Sequence, residues 1–177
     1  MIVWVNGAFG SGKTTLVEEL RRRRPEALVF DPEQIGYVLR EVVDVPTGNF
    51  QDLPLWRRQV GSMAAGLVEE YGRTVFTPMT LVRPDYADEI FGMLRAAGIT
   101  VHHFYLDVPA KTLTRRIDAR DLVPGDPARN EAVKAWCKAR VAECAVAAKA
   151  LPEDTVRLDG ERPVAELATE VLRRLEA

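Results

Sequence analysis

The octapeptide Gly7-Ala8-Phe9-Gly10-Ser11-Gly12-Lys13-Thr14 fits the pattern G-x-x-x-x-G-K-S/T, and it lies between an apolar run and a helix-periodic segment. That placement confines the chain to a strand, a tight loop and a helix in immediate succession. Ile2-Val3-Trp4-Val5 reads as a buried strand, and the apolar residues of Thr14-Thr15-Leu16-Val17-Glu18-Glu19-Leu20 recur at helical spacing. Glycines at 7, 10 and 12 let successive backbone N–H groups turn inward on phosphate oxygens, and the helix N-terminus adds its positive end. The expected cradle is Gly7, Ala8, Phe9, Gly10, Ser11, Gly12, Lys13, Thr14 and Thr15. In such a loop the lysine, Lys13, reaches the β- and γ-phosphates, and the Thr14 hydroxyl ligates Mg²⁺.

At 177 residues, with no Gly/Ser-rich or charge-block linker, the chain reads as one α/β domain spanning 1–177. A net charge of −2 and a pI near 5.8 supply no basic field for nucleic acid, so none is expected as a partner. The first apolar run is too short for a secretory or membrane segment, and no later run approaches a span. A soluble cytoplasmic protein without stable membrane association is expected. Its oligomeric state is open. Cys137 and Cys144 fall in one helix-periodic stretch, seven residues apart, which at the helical rise is about 10.5 Å and too far for a disulfide.

Further along, Arg21–Arg24 before Pro25 reads as a solvated cationic helix end, and Ala27-Leu28-Val29-Phe30 as a short strand. Asp31-Pro32-Glu33 looks like an N-cap followed by proline at the first helical position. A carboxylate at the carboxyl end of a strand also stands where open α/β sheets bind ligands, so Asp31 is the candidate general base for an acceptor hydroxyl. Between 31 and 72, Gln34, Tyr37, Arg40, Phe50, Gln51 and Trp56 form a candidate substrate-clasping segment. For Phe50 and Trp56 individually, stapling two helices together is the competing reading.

After a helix from Met63 to Tyr71, the third strand, Thr74–Thr77, ends in Pro78-Met79-Thr80 without the aspartate that often holds Mg²⁺ through water. Thr80 and Arg83 are carried forward as acceptor-site candidates. His102 and His103, adjacent on a fourth strand, point to opposite faces and cannot share a metal ion. Arg116 and Arg120 share a helix face ahead of a Pro/Gly loop ending at Arg129, a candidate lid at 115–130 that closes over ATP and neutralises the transferring phosphoryl group. Asn130–Leu151 reads as one amphipathic packing helix with Trp136, Val141 and Val146, and a fifth strand and a last apolar-striped helix follow.

Alternating strands and helices give a parallel sheet covered on both faces. A GTPase would need N-K-x-D and D-x-x-G, and neither occurs. A small-molecule kinase remains, with Lys13, Asp31, Arg116, Arg120 and Arg129 as candidate catalytic groups and ATP and Mg²⁺ as cofactors. The blocks Phe30–Tyr37, Phe50–Trp56, Thr77–Leu81 and His102–Asp107, with Met1–Asn6 ahead of the loop, resemble the tunicamycin-resistance protein family through most of the chain. More remotely the chain is similar to chloramphenicol phosphotransferases and to nucleoside monophosphate and shikimate kinases. The resemblance implies a five-stranded sheet of order 2-3-1-4-5 and an ATP-binding antibiotic-resistance protein that protects bacteria against tunicamycin, a uridine-bearing antibiotic. Phosphorylation of tunicamycin or a UDP-sugar-like acceptor, sequestration without turnover, and housekeeping nucleotide phosphorylation are the alternatives.

Overall fold

The computed structural model describes residues 1–81 and 83–176. Strands and helices alternate: β1 (Ile2–Gly7), α1 (Lys13–Arg23), β2 (Leu28–Val29), α2 (Glu33–Arg40), a 3-10 turn at Phe50–Asp52, α3 (Pro54–Tyr71), β3 (Val75–Pro78), α4 (Pro84–Ala96), β4 (Val101–Asp107), α5 (Ala110–Asp118), α6 (Pro127–Ala139), α7 (Val141–Ala147), β5 (Val156–Asp159) and α8 (Val164–Leu175). Every pairing is parallel, and the strands lie in the order 2-3-1-4-5. The central β1 is buried along its whole length, which is why its sequence is an unbroken apolar run rather than an alternating one. Ile2 and Trp4 face Val60, Ile90, Phe91 and Leu94, whereas Val3 and Val5 face Leu16, Leu20, Leu167 and Val171. A third cluster, with Ala8, Leu113, Ile117, Cys137, Val141 and Cys144, sits under α6 and α7. No described helix is long and apolar enough to cross a membrane.

Three elements differ from expectation. The helix leading to Tyr71 begins at Pro54 rather than near Met63, with proline at its first position, so Trp56 belongs to it. The 130–151 stretch is two helices that meet at Arg140, whose N–H bonds Cys137 O and whose guanidinium donates to the Trp136 carbonyl (3.2 Å). Cys137 and Cys144 therefore lie on separate helices, both buried and free, and Val146 is 68% exposed rather than packed. The arginine run is only partly a solvated face. Arg23 bonds Glu19, Thr169 and the Ala165 carbonyl, and Arg24 pairs with Glu176, so the run binds α1 to α8.

One polar pair is built into this core. Asn6 Oδ1 accepts from the N–H groups of Gly7 (2.7 Å) and Leu81 (2.9 Å), which orients its amide so that Nδ2 donates to Leu81 O and to His103 Nε2, both at 3.2 Å. His103 thus accepts at Nε2 and donates from Nδ1 to Thr155 Oγ1 (3.0 Å), tying β4 to the start of β5. Burial lowers its pKa to about 4, and the ring is neutral in the folded chain. Since the unfolded chain takes up the proton near pH 6.5, stability is fully present above that pH and falls as pH drops towards 4. Chemical unfolding of wild type and His103→Gln should differ in this window, with wild type losing about 2–3 kcal/mol more between pH 7 and 4. Parallel pH profiles would rule the neutral ring out.

Candidate functional site

The loop between β1 and α1 closes tightly on itself. Gly7 has φ +145°, and a Cβ there would lie 2.7 Å from Ser11 Oγ and 3.0 Å from the Leu106 carbonyl. Gly10, at φ +80°, lies against α5, where a Cβ would meet Ile117 Cγ1 at 3.1 Å. Only glycine suits either position. Ser11 Oγ is buried with no hydrogen-bond partner, an unfilled donor in the phosphate cradle. Arg116 donates to Ser11 O (3.2 Å) and to Gly160 O (3.1 Å), clamping the loop to the turn after β5. On the outer side, Phe9 packs edge-on against Trp136 with centroids 5.1 Å apart, and Arg140 caps that indole at 3.7 Å.

Lys13 turns back on the loop, its Nζ 3.0 Å from Gly7 O and 2.9 Å from Ala8 O. Enclosure lowers its pKa to about 8, with Arg120 adding to the lowering and Glu33 opposing it. Glu33 and Arg120 are thereby the charged groups that face the lysine from α2 and from the end of α5. Thr14 and Thr15 stand exposed in the first turn of α1. Arg129 is exposed in the first turn of α6, its N–H capped by Asp126 (2.9 Å).

Asp31 is partly buried at the carboxyl end of β2. Its Oδ1 accepts the Glu33 N–H at 3.0 Å, although Pro32 and not Asp31 is the residue next to the first helical position. Burial raises its pKa, partly opposed by that N–H and by the charge of Lys13. Glu33 accepts a hydrogen bond from Tyr37 Oη (2.8 Å), which fixes its carboxylate at the same mouth. Burial, with this bond, raises the Tyr37 pKa to about 12, so its hydroxyl stays a donor.

The clasping segment divides into surface and scaffold. Gln34, Tyr37 and Arg40 are exposed on α2, with Arg40 donating to Gly48 O (2.8 Å) and stacking on Phe50 at 4.9 Å. Phe50 is seated on Gly36, where a Cβ would come within 2.5 Å of its ring, and packs on Trp56 at 5.4 Å. Trp56 is fully buried and its Nε1 donates to Pro32 O (3.1 Å), so it braces the Asp31–Glu33 junction from behind instead of presenting a face to an acceptor. Gln51 and Thr80 are likewise buried: Gln51 Nε2 donates to Thr80 O (2.7 Å), and Thr80 Oγ1 to Gly7 O (2.8 Å). Arg83 is exposed, paired with Asp85 (2.6 Å) and stacked on Tyr86 at 4.4 Å.

A model of the AAA domain family matches residues 2–144. The chain belongs to this family. Across the whole AAA domain, the fold is similar to that of the tunicamycin resistance protein of Deinococcus radiodurans, with TM-score 0.73 and 24% identity over 98% of this chain and 94% of that one. APS kinase CysC of Mycobacterium tuberculosis, solved with AMPPNP and APS, aligns at TM-score 0.69 and 22% identity over 99% and 97%. Shikimate kinase of Aquifex aeolicus aligns at 0.58 and 19% over 99% and 96%. No curated protein matches the chain. The neighbours include small-molecule kinases, and the fold is kinase-like.

In this AAA domain, sequence reasoning did not single out Asn6 or Glu33. Asn6 precedes the loop and Glu33 sits two residues after Asp31, so proximity was the available signal. Arg57, whose place in the clasping segment suggests a polar contact to an acceptor, is instead scaffold: it is buried under Tyr86 at 4.2 Å, pairs with Glu89 (2.5 Å) and donates to Gln51 O (2.6 Å). The lowered pKa of Lys13 has a measurable consequence. Phosphates restore the ammonium, so calorimetry of MgADP binding in buffers of different ionisation enthalpy should show uptake of about one more proton at pH 9 than at pH 7. Equal uptake at the two values would show that Lys13 is already fully charged in the free protein.

Proposed function

We propose that this protein transfers the γ-phosphoryl group of ATP to a hydroxyl of a nucleoside-type small molecule, with tunicamycin the favoured acceptor. The observation that carries the reading is the Asp31 carboxylate, partly buried at the carboxyl end of β2, where burial raises its pKa and the charge of Lys13 opposes the rise. A base beside the phosphate-binding lysine is what phosphoryl transfer to a hydroxyl requires. Asp31 accepts the acceptor's proton as its oxygen attacks phosphorus, while Lys13, with Arg120 and Arg129 from the 115–130 lid, neutralises the phosphoryl oxygens. In this reading Arg116, held between Ser11 and Gly160, borders the nucleotide. Gln34, Tyr37 and Arg40, exposed on α2, and the exposed Arg83 are the groups offered to the acceptor.

Thr14, exposed in the first turn of α1, would offer Mg²⁺ a hard hydroxyl oxygen in a strand-end site that lacks its own acid. Mg²⁺ held there would offset the negative charge of the phosphates. The name of the Deinococcus radiodurans neighbour and the family resemblance support tunicamycin as the acceptor.

Mass spectrometry of tunicamycin incubated with the protein and MgATP should show the gain of one phosphoryl group. In Asp31→Asn the amide oxygen still caps the Glu33 N–H, so folding and ATP affinity are preserved while turnover falls about 100-fold or more. Unmodified tunicamycin in the wild-type reaction would refute the acceptor. Undiminished transfer by Asp31→Asn would refute the base.

A further inference from the structure

The two carbonyls that hold Lys13 each have a second donor. Gly7 O also accepts from Thr80 Oγ1 at 2.8 Å, and Ala8 O from the Ser11 N–H at 3.1 Å. A carbonyl oxygen has two lone pairs, so both oxygens are filled twice while the lysine is folded back and once after it leaves. Gly7 is buried, its Cα side closed off by Ser11 and Leu106, and water has no ready route to replace a missing donor there.

The geometry points to Thr80 as a positioning residue for Lys13: its hydroxyl keeps the Gly7 carbonyl satisfied, so that the ammonium can leave the loop for incoming phosphates without stranding a buried acceptor. Thr80 is delivered rigidly. Met79 N–H donates to Val5 O (3.1 Å), Trp4 Nε1 donates to Met79 O (3.3 Å), Gln51 Nε2 donates to Thr80 O, and the Asn6 amide binds both backbone groups of Leu81. The residue occupies the strand end where an acidic side chain would otherwise be expected, and a carboxylate there would repel the Gly7 carbonyl rather than fill it. Thr80 thus acts through the lysine and touches neither nucleotide nor acceptor.

This inference rests on the reading of the loop as a nucleotide site, and one titration separates the two. Calorimetry of MgATP binding at pH 7 with wild type, Thr80→Val and Thr80→Ser needs no acceptor. The valine has the threonine's shape without its hydroxyl, so Gly7 O then has only Lys13. Thr80→Val should bind MgATP about tenfold more weakly, the effect of stranding one buried acceptor, while Thr80→Ser stays within about twofold of wild type. Thr80→Val that binds like wild type overturns the inference. So does Thr80→Ser as weak as Thr80→Val, which would show that shape and not the hydroxyl matters. Wild-type protein that does not bind MgATP overturns the nucleotide reading and this inference with it.

Discussion

A single buried amide joins the parts of the site. Asn6 ends the apolar run of β1, and its side chain satisfies the Gly7 N–H, both backbone groups of Leu81 and the His103 ring nitrogen. A buried polar side chain is tolerable only when its donors and acceptors are met, and here every one is. The phosphate loop begins where that amide ends, the segment after β3 is aligned by it, and through His103 the same contact reaches Thr155. An apolar residue at position 6 would leave the Leu81 backbone and the Gly7 N–H unpaired inside the protein at once.

From this junction the site grows outward in two directions. On one side, Thr80 and Gln51 carry the connection from the loop to the 3-10 turn of the clasping segment, and Arg57 and Trp56 hold that turn against α3 and the Asp31–Glu33 corner. On the other, Arg116 ties the loop to the turn after β5, and Phe9 rests on Trp136 of α6. At the centre stand Lys13, held on the Gly7 and Ala8 carbonyls, the exposed Thr14, Asp31 on the Glu33 N–H, and Glu33 on Tyr37. Rigid packing around a few charged side chains is the arrangement that phosphoryl transfer favours, since positioning and charge supply most of its rate enhancement.

The phosphate loop was legible in the sequence because its chemistry depends on backbone conformation, and glycine spacing records conformation directly. The strand order was not recoverable from periodicity and came from resemblance, because hydrophobic patterning shows which residues are buried but not which strand lies beside which. Aromatic and amide residues of the clasping segment were harder. Phe50, Gln51 and Trp56 have the chemistry of a binding surface, yet Gly36 opens the space into which Phe50 packs, and the Pro32 and Thr80 carbonyls take the polar atoms of Trp56 and Gln51. Those pairings join residues fourteen or more positions apart, a distance over which local sequence carries no signal. The break at Arg140 was hidden because an alanine-rich stretch favours helix throughout, and propensity does not record that the Arg140 N–H turns to Cys137 O.

The brevity of β2 bears on how much change the neighbouring segment can absorb. This strand is only two residues long, lies at the edge of the sheet and leads through Asp31 into the 31–72 segment. So short an edge offers little template for a foreign strand, which protects against edge-to-edge aggregation. It also means that this segment hangs from the least paired part of the fold and is secured mainly by side chains. Insertions or replacements between 41 and 49, where the chain is largely exposed, leave every strand pairing intact. Sequence drift there and the stability of the sheet are therefore separable in this architecture.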